Sequence, residues 1–132
     1  MFTINEIKEA HSKVKSGADY PAYVQALKKL GVKGYTTFVQ DTHTEYYGAD
    51  NFNIATPAGA VLRQVADHSD KTEFVKYLAA HQRGETTFPT FCDDSAKTGV
   101  EKWVVDMGAM TCTYFDKNDC VILEEKIPQP EK

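Results

Sequence analysis

Signals for a membrane-spanning, secreted or phosphate-binding protein are missing from this sequence. Its 132 residues contain no apolar run near the roughly 20 residues that cross a bilayer. The opening Met-Phe-Thr-Ile-Asn-Glu has neither the basic nor the apolar part of a signal peptide. A formal net charge of −4 disfavours nucleic acid and anionic membranes, because phosphate binding requires a basic surface. We therefore expect a cytoplasmic protein that binds neither nucleic acid nor membrane.

Cysteine is scarce, and the common catalytic motifs are absent. Cys92, Cys112 and Cys120 lack the spacing of a zinc or redox motif, which favours reduced and mostly buried thiols. A disulfide between Cys112 and Cys120 across a hairpin is the alternative. No GxxxxGK[ST], GxSxG, HExxH or GxGxxG segment occurs. The sequence therefore identifies neither an activity nor a cofactor.

The sequence does contain a repeat at an offset of 68 residues. Residues 20–48, laid without a gap on residues 88–116, give five identities and four aromatic-for-aromatic exchanges in 29 positions. The matched pairs include Pro21 with Pro89, Tyr35 with Trp103 and Tyr47 with Phe115. Such self-similarity indicates a duplicated supersecondary unit whose two copies bury their apolar faces together.

Capping and turn residues divide each copy into two helices and three strands. Capping boxes at Thr3–Glu6 and Asp70–Glu73 open the first helix of each copy, and Gly31 and Gly99 end the second. Runs of β-branched and aromatic residues predict strands at 35–39, 43–47, 52–54, 102–106, 110–115 and 121–123.

Two further signals concern the helices outside the aligned repeat. The first helix is predicted to run to about residue 16, where Gly17 ends it. Thr56-Pro57 has the pattern of an N-cap followed by a first-turn proline, which predicts a connector helix over 57–66.

These elements predict one α+β domain over residues 1–127. It is an internally duplicated helix–helix–strand–strand–strand unit, with a mostly antiparallel sheet and helices packed on one face. The copies cover about residues 3–55 and 70–125, and residues 128–132 form a frayed tail. Whether the copies share one continuous sheet or form two smaller sheets is left open by the sequence.

A polar row distinguishes the first copy from the second. Asp41, His43 and Glu45 alternate along a predicted strand, so their side chains share one face. Their counterparts are the small and nearly neutral Ala109, Thr111 and Thr113. An imidazole between two carboxylates suits a general base or part of a metal site. The alternative is an ordinary solvated row, because Thr44 and Tyr46 are predicted to form the core face.

The aromatic positions that both copies share are candidate ligand-binding residues. Tyr35, Tyr47, Trp103 and Phe115 are aligned in pairs by the repeat. Matched aromatic residues favour a core around a pseudo-twofold axis. The alternative is a ligand pocket in the cleft between the copies, because apolar clefts are common binding sites.

Several strings resemble a family of small bacterial and prophage proteins. They are His11-Ser-Lys-Val-Lys-Ser-Gly-Ala-Asp-Tyr-Pro, Phe88-Pro-Thr-Phe-Cys, Gly99-Val-Glu-Lys-Trp-Val-Val-Asp and Met110-Thr-Cys-Thr-Tyr. The chain thus looks like the YbcV-like family of unknown function, often labelled phage envelope protein. The resemblance implies no established activity and no catalytic residues, and its label implies a phage structural role.

Three functions follow as hypotheses. The leading one is a small cytosolic binding module, with a small molecule or a protein as its partner at the cleft between the copies or on the sheet. The second is a metal-dependent or general-base enzyme that uses Asp41, His43 and Glu45. The third is a phage-related structural or morphogenesis protein. The oligomeric state is open between a monomer and a homodimer, because exposed edge strands can pair between chains.

Overall fold

Four helices and six strands make up the part of the chain that the structure describes. The structure is a computed structural model, and it describes residues 2–14, 19–59 and 62–127. The helices are α1 (Ile4–His11), α2 (Tyr20–Leu30), α3 (Lys71–Gln82) and α4 (Phe88–Lys97). The strands are β1 (Gly34–Phe38), β2 (Thr44–Tyr47), β3 (Asn53–Ala55), β4 (Lys102–Asp106), β5 (Thr111–Phe115) and β6 (Val121–Lys126). A short 3₁₀ helix, Ala49–Asn51, precedes β3.

All six strands belong to one sheet with the order β3-β2-β1-β4-β5-β6. Every neighbouring pair is antiparallel. At the centre, β1 pairs with β4, so the sheet is continuous from the first half of the chain to the second. The prediction of an α+β fold with an antiparallel sheet is confirmed.

The strand pairing follows the same offset as the sequence repeat. Thr36 and Val104, which face each other at the centre of the sheet, are 68 positions apart. Tyr35 lies opposite Tyr46, and the residues 68 positions later, Trp103 and Tyr114, also lie opposite each other. Each half has the order helix–helix–strand–strand–strand. The duplication itself stays a prediction, with which these registers agree.

Local hydrogen bonds account for the helix ends. Thr3 and Glu6 cap each other's backbone amides at the start of α1, so this capping box is confirmed. At α3, Asp70 accepts a hydrogen bond from the amide of Glu73. Gly31 ends α2 with φ +100, a left-handed conformation that suits glycine.

The helices cover one face of the sheet, and aromatic side chains fill the layer between them. The rings of Phe74 in α3 and Tyr114 in β5 have centroids 4.8 Å apart. Phe91 in α4 lies 5.5 Å from Trp103 in β4, and Leu27 in α2 is completely buried. Because side chains alternate along a strand, every second residue points away from this core. We call the face opposite the helices the outer face.

The predicted connector helix over 57–66 is wrong for the residues that the structure describes there. These residues are irregular, with residues 60 and 61 outside the described part. The amides of Gly59 and Arg63 donate to backbone carbonyls in the turn between β1 and β2. Because these amides bond to a distant segment, they do not form the i to i−4 bonds of an α-helix.

The predicted end of the first helix and the predicted carboxy-terminal tail involve residues that the structure does not describe. Helix α1 ends at His11 rather than near residue 16, and its predicted stop at Gly17 lies outside the described residues. The predicted tail over 128–132 also lies outside them. None of the described helices has the length and apolar character that crossing a membrane requires.

Replacing Gly99 with alanine is expected to destabilise the fold more than replacing Gly31. Both residues have positive φ, which costs an L-residue about 1–2 kcal/mol. A Cβ on Gly99 would in addition lie 2.6 Å from the carbonyl oxygen of His68, whereas a Cβ on Gly31 meets only a Phe2 ring atom at 4.0 Å. Urea denaturation of Gly31→Ala and Gly99→Ala measures the difference. Equal losses of stability would contradict the close backbone approach at Gly99.

Removing the Ser95 hydroxyl is expected to be neutral or stabilising. Ser95 is completely buried in α4, and its Oγ has no hydrogen-bond partner in the described part of the chain. An unsatisfied buried hydroxyl costs about 1–3 kcal/mol, so Ser95→Ala removes that penalty at the price of a small cavity. The matched control is Thr98→Val, because the buried Thr98 hydroxyl donates to the Asp94 carbonyl at 2.7 Å. Chemical denaturation is expected to show a loss of stability in Thr98→Val only.

Candidate functional site

The turn between β1 and β2 brings Asp41 next to His43. Thr42 adopts the left-handed conformation with φ 60, and its amide donates to the carbonyl of Phe38. The amide of Phe38 in turn donates to the carbonyl of His43. Asp41 therefore lies in the turn and not on the strand, which corrects the predicted alternation. Asp41 and His43 are adjacent because the chain reverses between them.

His43 bridges the two carboxylates of the predicted row. Its Nδ1 lies 2.6 Å from Oδ1 of Asp41, and its Nε2 lies 3.3 Å from Oε2 of Glu45. The amide of His43 also donates to Oδ1 of Asp41 at 3.1 Å. The structure thus brings the three predicted residues together, with both ring nitrogens facing a carboxylate.

Tyr47 extends this arrangement toward the centre of the outer face. Its hydroxyl lies 3.3 Å from Oε1 of Glu45 and 3.1 Å from Oγ1 of Thr36. Tyr47 is 37% exposed, whereas Thr36 is buried. We call Asp41, His43, Glu45, Tyr47 and Thr36 the His43 cluster.

An aromatic ring supports the imidazole from β1. The rings of Phe38 and His43 are stacked, with centroids 4.5 Å apart and an angle of 10° between their planes. A cationic ring is attracted to an aromatic face, so this contact favours the imidazolium form of His43.

The hydrogen bonds of the cluster shift two pKa values in opposite directions. The hydrogen bond to Asp41 raises the pKa of His43 above its usual 6.5, and Glu45 adds to this effect. Burial raises the pKa of Asp41, but the hydrogen bonds from His43 outweigh burial and leave that pKa below 3.8. These hydrogen bonds therefore favour the imidazolium form of His43 and the carboxylate form of Asp41.

This geometry suits a charged hydrogen-bonded bridge better than a metal centre or a general base. A general base needs a free imidazole lone pair, and an imidazolium has none. The carboxylates lie against opposite nitrogens of the ring, so the three groups do not converge on one point. Among the described residues, no group of three or more His, Cys, Asp and Glu side chains is arranged to hold a metal ion.

The four predicted ligand-binding aromatics do not share a pocket. Tyr35 and Trp103 belong to the buried core, each 7% exposed. Tyr47 and Phe115 lie on the outer face, in different rows of the sheet: Tyr47 opposite Gly34, and Phe115 opposite Lys102. Because β1 and β4 are hydrogen-bonded side by side, no cleft separates the two halves of the sheet.

Two of the three cysteines are buried, and burial disfavours their reactive thiolate form. All three are free thiols, so the alternative of a Cys112–Cys120 disulfide is wrong. Burial raises the pKa of Cys92 to about 11 and that of Cys112 to about 12, which keeps both protonated at neutral pH. Cys120 is exposed in the turn before β6.

Sequence reasoning missed three residues of the outer face. Thr36 and Phe38 alternate with the buried Tyr35 along β1, and Val104 faces Thr36 from β4. The signal that identifies them is the alternation of side chains along a strand, since a residue one position away from a core aromatic points to the other face. The repeat alignment drew attention to matched aromatics and not to their neighbours.

Comparisons with known proteins identify a family of unknown function and several uncharacterized relatives. A family model described as "Protein of unknown function (DUF1398)" matches residues 8–126. Uncharacterized proteins of Mycobacterium bovis and Mycobacterium tuberculosis are 29% identical to this chain over 107 residues. The match covers 80% of this chain, which spans only 65% of the length of these relatives.

The stability that His43 contributes is expected to depend on pH. A raised folded-state pKa gives His43 its full contribution below about pH 6.5, and this is lost as pH rises through the raised value. A lowered pKa gives Asp41 its contribution above about pH 3.8, and this is lost as pH falls through the lowered value. The advantage over His43→Gln is therefore expected to reach up to about 1 kcal/mol near pH 5.5 and to shrink near pH 9.

Urea denaturation of the natural protein and His43→Gln at both pH values provides the measurement. His68→Gln, which changes an exposed histidine outside the cluster, is the matched control. A difference between the natural protein and His43→Gln that is the same at both pH values would contradict the charged bridge.

Proposed function

Since this chain belongs to the DUF1398 family, whose function is unknown, we propose a function from the surface of the molecule itself. The protein is a binding module that receives a protein partner on the outer face of its sheet. The observation that carries this proposal is that the described helices cover one face, while the outer face presents partly exposed apolar side chains.

The outer face combines an apolar centre with a polar border. Phe38 and Phe115 flank Lys102 in one row of paired residues, and Val104 lies in the central row. Val121, which pairs with Phe115 at the edge, is 59% exposed. The border carries the charged or titratable side chains His43, Glu45 and Glu124, and Lys102 between the two phenylalanines is paired with Asp119. An apolar centre with a polar rim is typical of protein–protein interfaces.

A protein partner fits this surface better than a small molecule. Small-molecule sites are concave and enclose most of their ligand, whereas the outer face is the surface of an open sheet. Two surface depressions lie away from the outer face, one between α1 and α2 and one beside Val65 and Ala96. The outer face therefore favours the broad contact that a folded partner makes.

The other hypotheses receive less support from the described residues. The hydrogen bonds to Asp41 and Glu45 favour the imidazolium form of His43, which counts against general-base catalysis. The YbcV-like assignment, the phage structural role and the cytoplasmic location stay predictions, as does the choice between monomer and homodimer.

A charge at the centre of the outer face is expected to abolish partner binding. Val104→Lys places an ammonium among Thr36, Thr113 and their neighbours in the central row. Val75→Lys is the matched control, because Val75 is 42% exposed on α3, away from the outer face. Each tagged protein is used as bait in an extract of the source organism, and retained proteins are quantified by mass spectrometry.

We expect the natural protein and Val75→Lys to retain a common set of proteins that Val104→Lys loses. Melting temperatures of the three baits establish that all are folded. Equal retention by the two lysine variants, or no specific retention by any folded bait, would refute the proposal.

A further inference from the structure

The Tyr47 hydroxyl has one proton and two neighbouring acceptors. Oε1 of Glu45 lies 3.3 Å from it and Oγ1 of Thr36 lies 3.1 Å from it. The hydroxyl is placed to donate to either of them, so its one proton is divided between Glu45 and Thr36. When Glu45 moves away, Thr36 remains as the acceptor for the Tyr47 hydroxyl within the His43 cluster. The share of the Tyr47 proton that Thr36 receives therefore depends on where Glu45 is held.

The number of protons on His43 decides whether Glu45 is held. An imidazolium has two N–H groups and donates to Asp41 and Glu45 at the same time. A neutral imidazole keeps one N–H, and the shorter contact of 2.6 Å places it on Nδ1, toward Asp41. The lone pair of Nε2 then faces the Glu45 carboxylate at 3.3 Å, which is repulsive.

We propose that the His43 cluster is a proton-dependent relay that regulates the outer face. Loss of one proton from His43 to solvent releases Glu45, and the Tyr47 hydroxyl then turns from Glu45 to Thr36. The change travels from the turn between β1 and β2 to Thr36, which lies opposite Val104 at the centre of the sheet. That a docked partner senses this change rests on the proposed function, whereas the relay itself does not.

The charged groups around His43 are compatible with this relay. Asp41 and Glu45 face the ring nitrogens directly, and Phe38 from β1 brings an uncharged ring. The closest charge from β4 is on Lys102, which pairs with Phe38 in the sheet. Its Nζ lies 2.8 Å from Asp119, so that charge has its own partner. The adjacent residues 56–59, Thr-Pro-Ala-Gly, bring no charge.

NMR titration from about pH 5 to about pH 9 tests the relay in the isolated protein. The signals to follow are the His43 ring, the Glu45 carboxyl carbon, the Tyr47 ring and the Thr36 methyl group. We expect all four to change with one common midpoint above 6.5, while the indole N–H of Trp103 in the buried core stays constant. Absence of a Thr36 change at the His43 midpoint would overturn the proposal.

Three variants separate the relay from a simple electrostatic effect of His43. In His43→Gln the changes at Glu45, Tyr47 and Thr36 are expected to disappear. In Tyr47→Phe the Thr36 change is expected to disappear while Glu45 still follows His43. A Thr36 change that persists in Tyr47→Phe would show direct influence of the His43 charge and would overturn the relay.

Asp41→Asn provides a test that keeps His43 in place. Removal of the Asp41 charge is expected to lower the His43 midpoint, and the Glu45 and Thr36 midpoints should fall with it by the same amount. Midpoints that separate would contradict a relay. Because no partner takes part in these titrations, their failure is distinguishable from failure of the binding function.

Discussion

The pairing of β1 with β4 is the constraint on which the rest of the structure depends. It joins two three-stranded halves that would otherwise each end in an open edge, and open edges invite pairing between chains. Gly34 makes this junction possible, because a Cβ at this position would lie 2.6 Å from the carbonyl oxygen of Val105. Because the described helices of both halves lie on the same face, the junction also merges their aromatic side chains into one core.

The two faces of the continuous sheet differ in burial. Neighbouring residues of β2 show the division: Tyr46 is buried against the helices, and Tyr47 is exposed on the outer face. The core aromatics Tyr35 and Trp103 follow the first pattern, and Phe115 follows the second. Matched aromatics in a repeat are therefore not one class of residue. The alternation of side chains along a strand decides which of them belong to the core and which lie on the outer face.

Most elements of the fold were predictable from local signals, and the failures have a common physical cause. β4 was predicted with its observed limits because the aromatic and β-branched residues Trp103, Val104 and Val105 lie at its centre, with turns on either side. The segment 57–66 has an equally clear helical start, yet its amides bond to the turn between β1 and β2. Sequence patterns describe bonds within a few residues. They do not reveal a competing acceptor 18 positions away, as Asp41 is from Gly59, or 23 positions away, as Gln40 is from Arg63.

The candidate site was predictable in its residues but not in its geometry. Alternation placed Asp41, His43 and Glu45 on one face, and the structure brings them together. The bridging role of the imidazole depends on the left-handed Thr42, which moves Asp41 out of the strand. The involvement of Thr36 depends on the register between β1 and β2, which no local pattern specifies.

The second half of the molecule contains a similar chain reversal without a counterpart of the His43 cluster. Met110, 68 positions after Thr42, also adopts the left-handed conformation, with φ 56 against 60. The turn between β4 and β5 thus shares this feature with the turn between β1 and β2, although Ala109 and Thr111 replace Asp41 and His43. The same reversal forms there without a histidine between two carboxylates. Chain reversal alone therefore does not explain why the His43 cluster is present. Its position at the border of the outer face is compatible with the proposed control of that surface by the protonation of His43.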